Sequence, residues 1–161
     1  MSQTGQSQIF DLPSGAKLAV TVAPFRDAWS LMKASLSTLK GMELKGIDVK
    51  QKLSALVLND PKAIELILDR VVDFATSPEV EAAMWKCAKK ALYIPANSDP
   101  AYPGTEVNQN MFDEPSSGEK VREDYARIVF HLLEVNCKPF LAQALSSFTK
   151  PKTENPSPAQ K

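Results

Sequence analysis

The sequence predicts a mainly α-helical single domain of about five helices, with an N-terminal β-hairpin and a disordered C-terminal tail. Three observations lead to this prediction. Apolar residues recur at spacings of three and four along most of the chain, which is the period of an amphipathic helix. A segment ahead of residue 23 instead alternates with a period of two. The last residues are rich in proline and polar side chains and lack an apolar stripe.

These patterns divide the chain into three parts. Residues 1–8 are a polar, flexible lead, residues 9–148 form the helical domain with its hairpin, and residues 149–161 are a disordered tail or linker. With 161 residues, of which 43% are hydrophobic, the chain is long enough to bury a core without further staples. The boundaries therefore predict one globular domain.

The hairpin is predicted around Pro13-Ser14-Gly15, because proline and glycine so placed favour a tight reversal of the chain. After the turn, alternation places Leu18, Val20 and Val22 on one face. An isolated hairpin is marginal in water, so it must lie on the helices or pair its edge with another chain. The second alternative makes Leu18, Val20 and Val22 the candidate self-association residues.

Helical periodicity follows Pro24. The first helix has one apolar stripe and ends at Gly41. Its members are Phe25, Trp29, Met32, Leu36 and Leu39. A linker over 41–48 and a short helix over 49–58 are expected next. Asp60-Pro61 and Ser77-Pro78 each combine a capping residue with proline, which indicates two further helix starts.

The two helices that begin at these prolines differ in their apolar faces. The helix from Pro61 is apolar nearly all round, which predicts a central position. The helix from Pro78 has a single apolar face. That face comprises Val80, Ala83, Met84, Cys87, Ala88 and Ala91.

Residues 92–118 predict a long loop. Four prolines and two glycines exclude a long helix there, and four acids occur without a base: Asp99, Glu106, Asp113 and Glu114. A loop of this length inside a domain is usually functional or mobile. A merely solvated loop is the alternative.

The last helix is expected from about Ser117, with a buried stripe of Val121, Tyr125, Ile128, Leu132 and Val135, and Pro139 is expected to interrupt it. A short apolar stripe follows the proline. Its members are Phe140, Leu141, Leu145 and Phe148. These four residues are the candidate partner-binding residues; the alternative is that they close the core.

We identify no candidate catalytic, cofactor-binding or metal-binding residues in the sequence. We therefore do not expect an enzyme. His131 is the one histidine and lies beside an apolar helix face, as do the two cysteines, Cys87 and Cys137, which are expected to be reduced core thiols. Metal-ligand spacing and glycine-rich phosphate loops are absent from the sequence. The carboxylate pairs Glu79/Glu81 and Asp113-Glu114 are expected to be a helix start and a solvated loop end.

Charge and hydropathy narrow the range of partners. Nineteen basic residues balance nineteen acidic ones, so no global attraction to nucleic acid or anionic lipid is expected. Apolar runs fall short of the ~18 residues that span a bilayer, and the N-terminus lacks a secretory pattern. We therefore expect a cytoplasmic binding protein without nucleic-acid or membrane partners.

Several short motifs follow one another along the chain in a distinctive order. The series begins with Phe10-Asp11-Leu12-Pro13-Ser14-Gly15 and Val22-Ala23-Pro24-Phe25. It continues with Pro78-Glu79-Val80 leading to Cys87 and Leu92, and with Met111-Phe112-Asp113. It ends with Asp124-Tyr125 and Asn136-Cys137-Lys138-Pro139-Phe140. This order resembles tail assembly chaperones of long-tailed, non-contractile bacteriophages, and the resemblance covers roughly residues 9–148.

The resemblance implies a viral tail assembly chaperone that acts in the cytoplasm of the infected or lysogenic host during virion morphogenesis. Such proteins hold the long helical tape-measure protein soluble, help to recruit tail-tube protein and leave before the particle is finished. They self-associate into open oligomers and use neither cofactor nor ATP. A programmed frameshift often adds a second domain, and residues 150–161 would suit a linker to it.

Two alternatives remain open. A structural tail-terminator or connector subunit would form closed rings and persist in the virion. A small cytoplasmic enzyme or regulatory domain would bind a ligand through unremarkable residues.

Overall fold

The computed structural model describes residues 5–41, 77–115 and 120–149, with backbone alone at 36, 39–41 and 141–149. The elements follow one another as two strands, two helices, two strands and two helices. In chain order they are β1 (Gln8–Asp11), β2 (Lys17–Val20), α1 (Phe25–Gly41), α2 (Pro78–Ala88), β3 (Ala91–Ile94), β4 (Thr105–Glu106), α3 (Asn110–Asp113) and α4 (Tyr125–Thr149).

The predicted fold class, mainly α with about five helices and a separate hairpin, is wrong. The described residues contain four helices and a four-stranded antiparallel sheet in the order β1-β2-β3-β4. The hairpin forms as predicted, but β3 pairs with β2, with Leu18 opposite Tyr93 and Val20 opposite Ala91. The run that forms β3 is too short for its periodicity to distinguish strand from helix, and pairing with a remote strand determines its conformation.

The turn of the hairpin has the expected chemistry. The Leu12 amide donates to the Ala16 carbonyl and the Gly15 amide donates to the Leu12 carbonyl, both at 2.9 Å. Gly15 has a φ of 90°, which glycine adopts without steric cost. The sequence therefore specified this reversal locally.

The core lies between the inner face of the sheet and helices α1, α2 and α4. Leu18, Val20 and Tyr93 project from the sheet into it. The predicted face of α2 is buried from Val80 to Ala88, although Ala91 belongs to β3. Apart from Tyr125, which is half-buried, the predicted stripe of α4 is fully buried.

The expected stripe of α1 is wrong in its first turns. The buried residues of this helix are Ala28, Leu31, Met32 and Ser35, whereas Phe25 and Trp29 are exposed. The small side chain of Ala28 lets the helix approach its neighbours, and α1 packs mainly against α2 and also against α4. The rotation of α1 thus depends on packing that periodicity does not specify.

Pro139 does not interrupt the last helix. Helix α4 has 25 residues in all and contains Pro139. The helix begins at Tyr125 rather than near Ser117. Within a helix, proline removes one backbone hydrogen bond and crowds the preceding turn, a cost that the packing of the surrounding helix offsets.

Several predictions lie outside the described residues: the first four residues of the lead, the linker over 41–48, the helices over 49–58 and from Pro61, and the tail after Thr149. The expected loop over 92–118 contains β3, β4 and α3 instead. At the lead, Gln8 already belongs to β1, and the hydroxyls of Ser7 and Thr21 share a hydrogen bond of 2.7 Å. Within the described part of the chain, helices long and apolar enough to span a membrane are absent.

Candidate functional site

A buried asparagine on α4 places the start of α1. The Asn136 side-chain carbonyl accepts a hydrogen bond of 2.9 Å from the Ala23 amide, and its amide group donates to the Leu132 carbonyl at 2.8 Å. Ala23 precedes Pro24, whose carbonyl accepts from the amides of Asp27 and Ala28 in the first turn of α1. The N-terminus of α1 is therefore held against the middle of α4.

At this junction three aromatic rings form a cluster, Phe25, Trp29 and Phe140, here called the aromatic cluster. The Phe140 ring lies edge-on to both others, with centroid distances of 5.8 Å to Phe25 and 5.3 Å to Trp29. Phe25 and Trp29 are stacked at 6.2 Å. Such edge-on and offset arrangements are favourable for aromatic pairs, so the rings hold one another in place.

The aromatic cluster faces solvent. Phe25 is 71% exposed and Trp29 is 42% exposed, while Phe140 is half-buried. Val22, at 43% exposure, and the exposed Pro139 extend the apolar surface. Both also border a shallow depression of about 200 Å³ whose other lining residues are Gln8, Glu134, Val135 and Lys138.

Basic residues border the aromatic cluster. Arg26 and Lys33 are exposed on α1, and Lys33 follows Trp29 by one helical turn on the same side. Lys138 precedes Pro139 on α4. The nearby acid Glu134 interacts with His131, whose Nδ1 lies 3.1 Å from the glutamate Oε2. Asp27 adjoins Arg26 on α1, so the surroundings of the aromatic cluster carry charges of both signs.

Some of the predicted site residues lie at the surface and others are buried in the core. Phe140 belongs to the aromatic cluster and Val22 adjoins it, whereas Leu18 and Val20 are fully buried on the central strand β2. Strand β2 offers no free edge, because β1 and β3 pair with it on both sides. Contact of Leu18 or Val20 with a second subunit would therefore require the core to open. Leu141, Leu145 and Phe148 lie on helical backbone, and their partner-binding role stays a prediction.

Sequence reasoning missed Phe25 and Trp29 as surface residues. Their i,i+4 spacing was interpreted as part of the core stripe of α1. A second stripe of small and apolar residues lies on the same helix and comprises Ala28, Leu31, Met32 and Ser35, so Met32 belongs to both stripes. Periodicity therefore allows two rotations of α1 and does not decide which stripe is buried.

The two cysteine thiols are buried in the core, and the histidine ring packs against an aromatic ring. Burial, and secondarily the Asp27 carboxylate, raises the pKa of Cys87 to about 12. Burial, and secondarily Cys87, raises the pKa of Cys137 to about 12. Because the thiolate is the nucleophilic form, neither cysteine is activated at neutral pH. The His131 ring is stacked on Phe10 at 3.9 Å.

One carboxylate pair lies at a helix start and the other is exposed at a helix end. Glu79 and Glu81 are in the first turn of α2, and a backbone hydrogen bond and the Ser77 hydroxyl lower the pKa of Glu79. Asp113 and Glu114 are exposed at the end of α3. In the described segments, groups of three residues suited to hold a metal ion are absent.

A buried carboxylate joins three elements at the start of α4. Asp124 accepts hydrogen bonds from the Ser14 amide at 3.0 Å, from the Ser14 hydroxyl and from the Tyr93 hydroxyl at 2.9 Å. Its oxygens are fully enclosed, so these donors replace the solvation that the carboxylate loses on folding. This group ties the hairpin turn and β3 to the start of α4.

The chain matches no family model, no curated protein and no solved structure. The sequence landmarks that carry the resemblance to tail assembly chaperones contact one another in pairs. Ser14 bonds to Asp124, Ala23 bonds to Asn136, and Phe25 contacts Phe140. The first pair is a partly buried polar contact, the second is a buried one, and the third belongs to the exposed aromatic cluster.

Proposed function

We propose that this protein is a tail assembly chaperone of a long-tailed, non-contractile bacteriophage. It binds the tape-measure protein in the bacterial cytoplasm, keeps it soluble, helps to recruit tail-tube protein and is absent from the finished particle. The resemblance supports the family, and the exposed aromatic cluster is the observation that supports client binding by this chain. The proposal requires neither a cofactor nor catalysis.

The aromatic cluster suits an amphipathic helical client. Phenylalanine and tryptophan supply large contact areas with few rotatable bonds, and such residues dominate the binding energy of interfaces. An amphipathic helix presents apolar residues at i, i+3, i+4 and i+7, which can cover adjoining rings on a surface. A tape-measure protein, long and helical, offers many such segments, so many copies can bind along it.

The segment after Pro139 extends this proposal. Helix α4 continues to Thr149, so Leu141, Leu145 and Phe148 follow Phe140 on the same helix. We include them in the client-binding surface as the sequence predicted.

The test is co-expression with the long helical protein encoded just downstream, followed by pull-down and sizing of the soluble fraction. The wild type should keep the partner soluble and co-elute with it in many copies. The double variant Phe25→Ser/Trp29→Ser should leave the partner insoluble. Ile9→Ser is the matched control, because Ile9 is a large exposed apolar residue on β1 that does not belong to the aromatic cluster, and its replacement should preserve client binding.

Two outcomes would contradict the proposal. The first is a partner that stays insoluble with the wild type while this chain elutes alone or as a closed ring. The second is stoichiometric retention of the chain in purified particles on a protein gel, which would identify a structural tail-terminator or connector subunit.

A further inference from the structure

The two outer strands of the described sheet, β1 and β4, differ in how their free sides are occupied. Strand β4 has two residues, and the carbonyl of Glu106 accepts a hydrogen bond of 3.1 Å from the Asn108 side chain. Strand β1 has four residues, and within the described part of the chain no strand pairs with its outer side. An unpaired strand presents amides and carbonyls that another extended chain can bind. Strand β1 is therefore the side of the sheet that is open to a further strand.

The hydrogen-bond register shows which backbone groups of β1 point outward. The Leu12 amide donates to the Ala16 carbonyl across the hairpin. In an antiparallel pair, successive residues alternate between bonding the partner strand and facing away from it. By this alternation the amides and carbonyls of Ile9 and Asp11 point away from β2. These backbone groups are here called the β1 edge.

The outer face of the sheet is apolar next to the β1 edge. Ile9, Ala19 and Leu92 lie side by side on β1, β2 and β3. Ile9 is 65% exposed and Leu92 is 37% exposed, so both side chains remain in contact with solvent. A strand added beside β1 would place one residue next to Ile9, and an apolar β-branched side chain there would continue this row.

On the inner side of the sheet, an added strand would meet α4. Phe10 stacks on the His131 ring, and Gln8 borders the depression of about 200 Å³ against α4. Side chains of a strand alternate between its two faces, so one side chain of the added strand can enter this depression. Glu134 and Lys138, which also line the depression, carry opposite charges. Net charge therefore does not select the partner, and the backbone does.

These dimensions favour a short extended segment over a second folded copy. A strand of four residues is roughly 13 Å long. Two folded proteins that associate stably bury about 800 Å² on each partner, which far exceeds what this edge and one depression offer. A helix satisfies its backbone groups internally, so it cannot bond the β1 edge along its length. An extended chain has the free donors and acceptors that the edge requires.

We propose that the β1 edge binds an extended segment of a partner protein, which joins the sheet as a fifth strand. The segment lacks proline where it bonds Ile9 and Asp11, and its side chains alternate between an apolar set on the outer face and a small set toward α4. In such strand addition, main-chain bonds supply affinity and side-chain contacts supply specificity. The inference goes beyond the proposed function, because the aromatic cluster takes an amphipathic helix and is not part of this edge.

The test titrates the full-length, ¹⁵N-labelled protein with the acetylated and amidated peptide Lys-Val-Thr-Val-Thr-Val-Lys, whose valines share one face. Nuclear magnetic resonance should show saturable shifts centred on residues 8–11. Hydrogen exchange at the amides of Ile9 and Asp11 should slow when the peptide is present, because both amides gain acceptors. Shifts that are absent from residues 8–11, or that centre on Phe25 and Trp29, would overturn the inference.

Two methylated forms of this peptide are a matched pair. Alternate amides of an extended peptide point to opposite sides, so N-methylation of the valines blocks one side and N-methylation of the threonines blocks the other. One side faces the β1 edge. One methylated peptide should therefore lose roughly tenfold or more in affinity, while the other binds like the parent peptide. Equal affinities of the two methylated peptides would contradict pairing with the edge.

The variant Ile9→Pro removes one outward amide from the protein itself. Because this amide does not bond β2, the hairpin should form and the circular dichroism spectrum should be unchanged. Affinity for the peptide should fall roughly tenfold or more. Ile9→Thr keeps the amide and the strand preference, so it is the matched control and should stay within about threefold of the wild type. A folded Ile9→Pro variant that binds like the wild type would refute the proposal.

The same measurements separate this edge from other occupants and from the proposed client site. The variant Phe25→Ser/Trp29→Ser should bind the peptide like the wild type, and loss of binding in it would count against the edge. In the free protein, protection of the Ile9 and Asp11 amides that rises with protein concentration would show a second copy on the edge. Protection that does not depend on concentration would show another segment of the same chain there. Either kind of protection would overturn the inference.

Discussion

The start and the middle of α4 differ in what they enclose. Near Tyr125, the Asp124 carboxylate is fully buried and accepts three hydrogen bonds from Ser14 and Tyr93. Near Pro139, the large rings of Phe25 and Trp29 remain in contact with solvent. The first arrangement encloses a charge at a high desolvation cost, and the second forgoes roughly 1–2 kcal/mol per ring that burial would contribute.

This difference separates residues that serve the fold from residues available for binding. The buried Asp124 carboxylate serves the fold, because its hydrogen bonds join three elements of the structure. A phenylalanine that is 71% exposed contributes little to folding stability, and the client contact proposed above would give it a role. Substitutions in the two regions should therefore affect different measurements.

The largest effect on stability is expected from Asp124→Ala. Removal of the carboxylate leaves the Ser14 amide and the hydroxyls of Ser14 and Tyr93 without their buried acceptor, and the free energy of unfolding should fall by about 3–4 kcal/mol. Urea unfolding followed by circular dichroism measures this change. Asp124→Asn keeps the shape and one acceptor oxygen, so its loss should be smaller. Equal stability of Asp124→Ala and the wild type would show that the three bonds contribute nothing.

A smaller loss is expected from Asn136→Leu, which keeps the side chain's size but removes the acceptor for the Ala23 amide. An unpaired buried amide costs about 1–3 kcal/mol. Because Asn136 also holds the start of α1 against α4, tryptophan fluorescence of the folded variant should change as Trp29 shifts relative to Phe140. Ser30→Ala, which removes an exposed hydrogen bond on α1, is the control. An unchanged urea midpoint in Asn136→Leu would contradict this anchoring role.

The smallest effect on stability is expected from Phe25→Ser. Its ring is mostly exposed, so the free energy of unfolding should change by less than about 1 kcal/mol. Client retention in the pull-down should nevertheless fall strongly. A large loss of stability would show instead that Phe25 is part of the core, and would remove the contrast between the start and the middle of α4.

Features that depend on neighbouring residues were predictable. Pro13, Ser14 and Gly15 specify the hairpin turn by their own backbone preferences, and the buried face of α2 follows from the spacing of Val80, Met84 and Cys87. Phe140 was recognised as a candidate because it follows the stripe of α4 beyond a proline. Its two aromatic partners were not recognised, since nothing local distinguishes a stripe that faces the core from one that faces solvent.

The sequence by itself thus determined the hairpin and the helical faces of α2 and α4. The tertiary structure alone decided that Ala91–Ile94 is a strand, that α1 turns Ala28 and Leu31 inward, and that α4 continues through Pro139. The physical reason is the range of the interactions. Turns and helix periodicity arise within a few residues, whereas strand pairing and helix rotation depend on partners that packing brings together from distant parts of the chain.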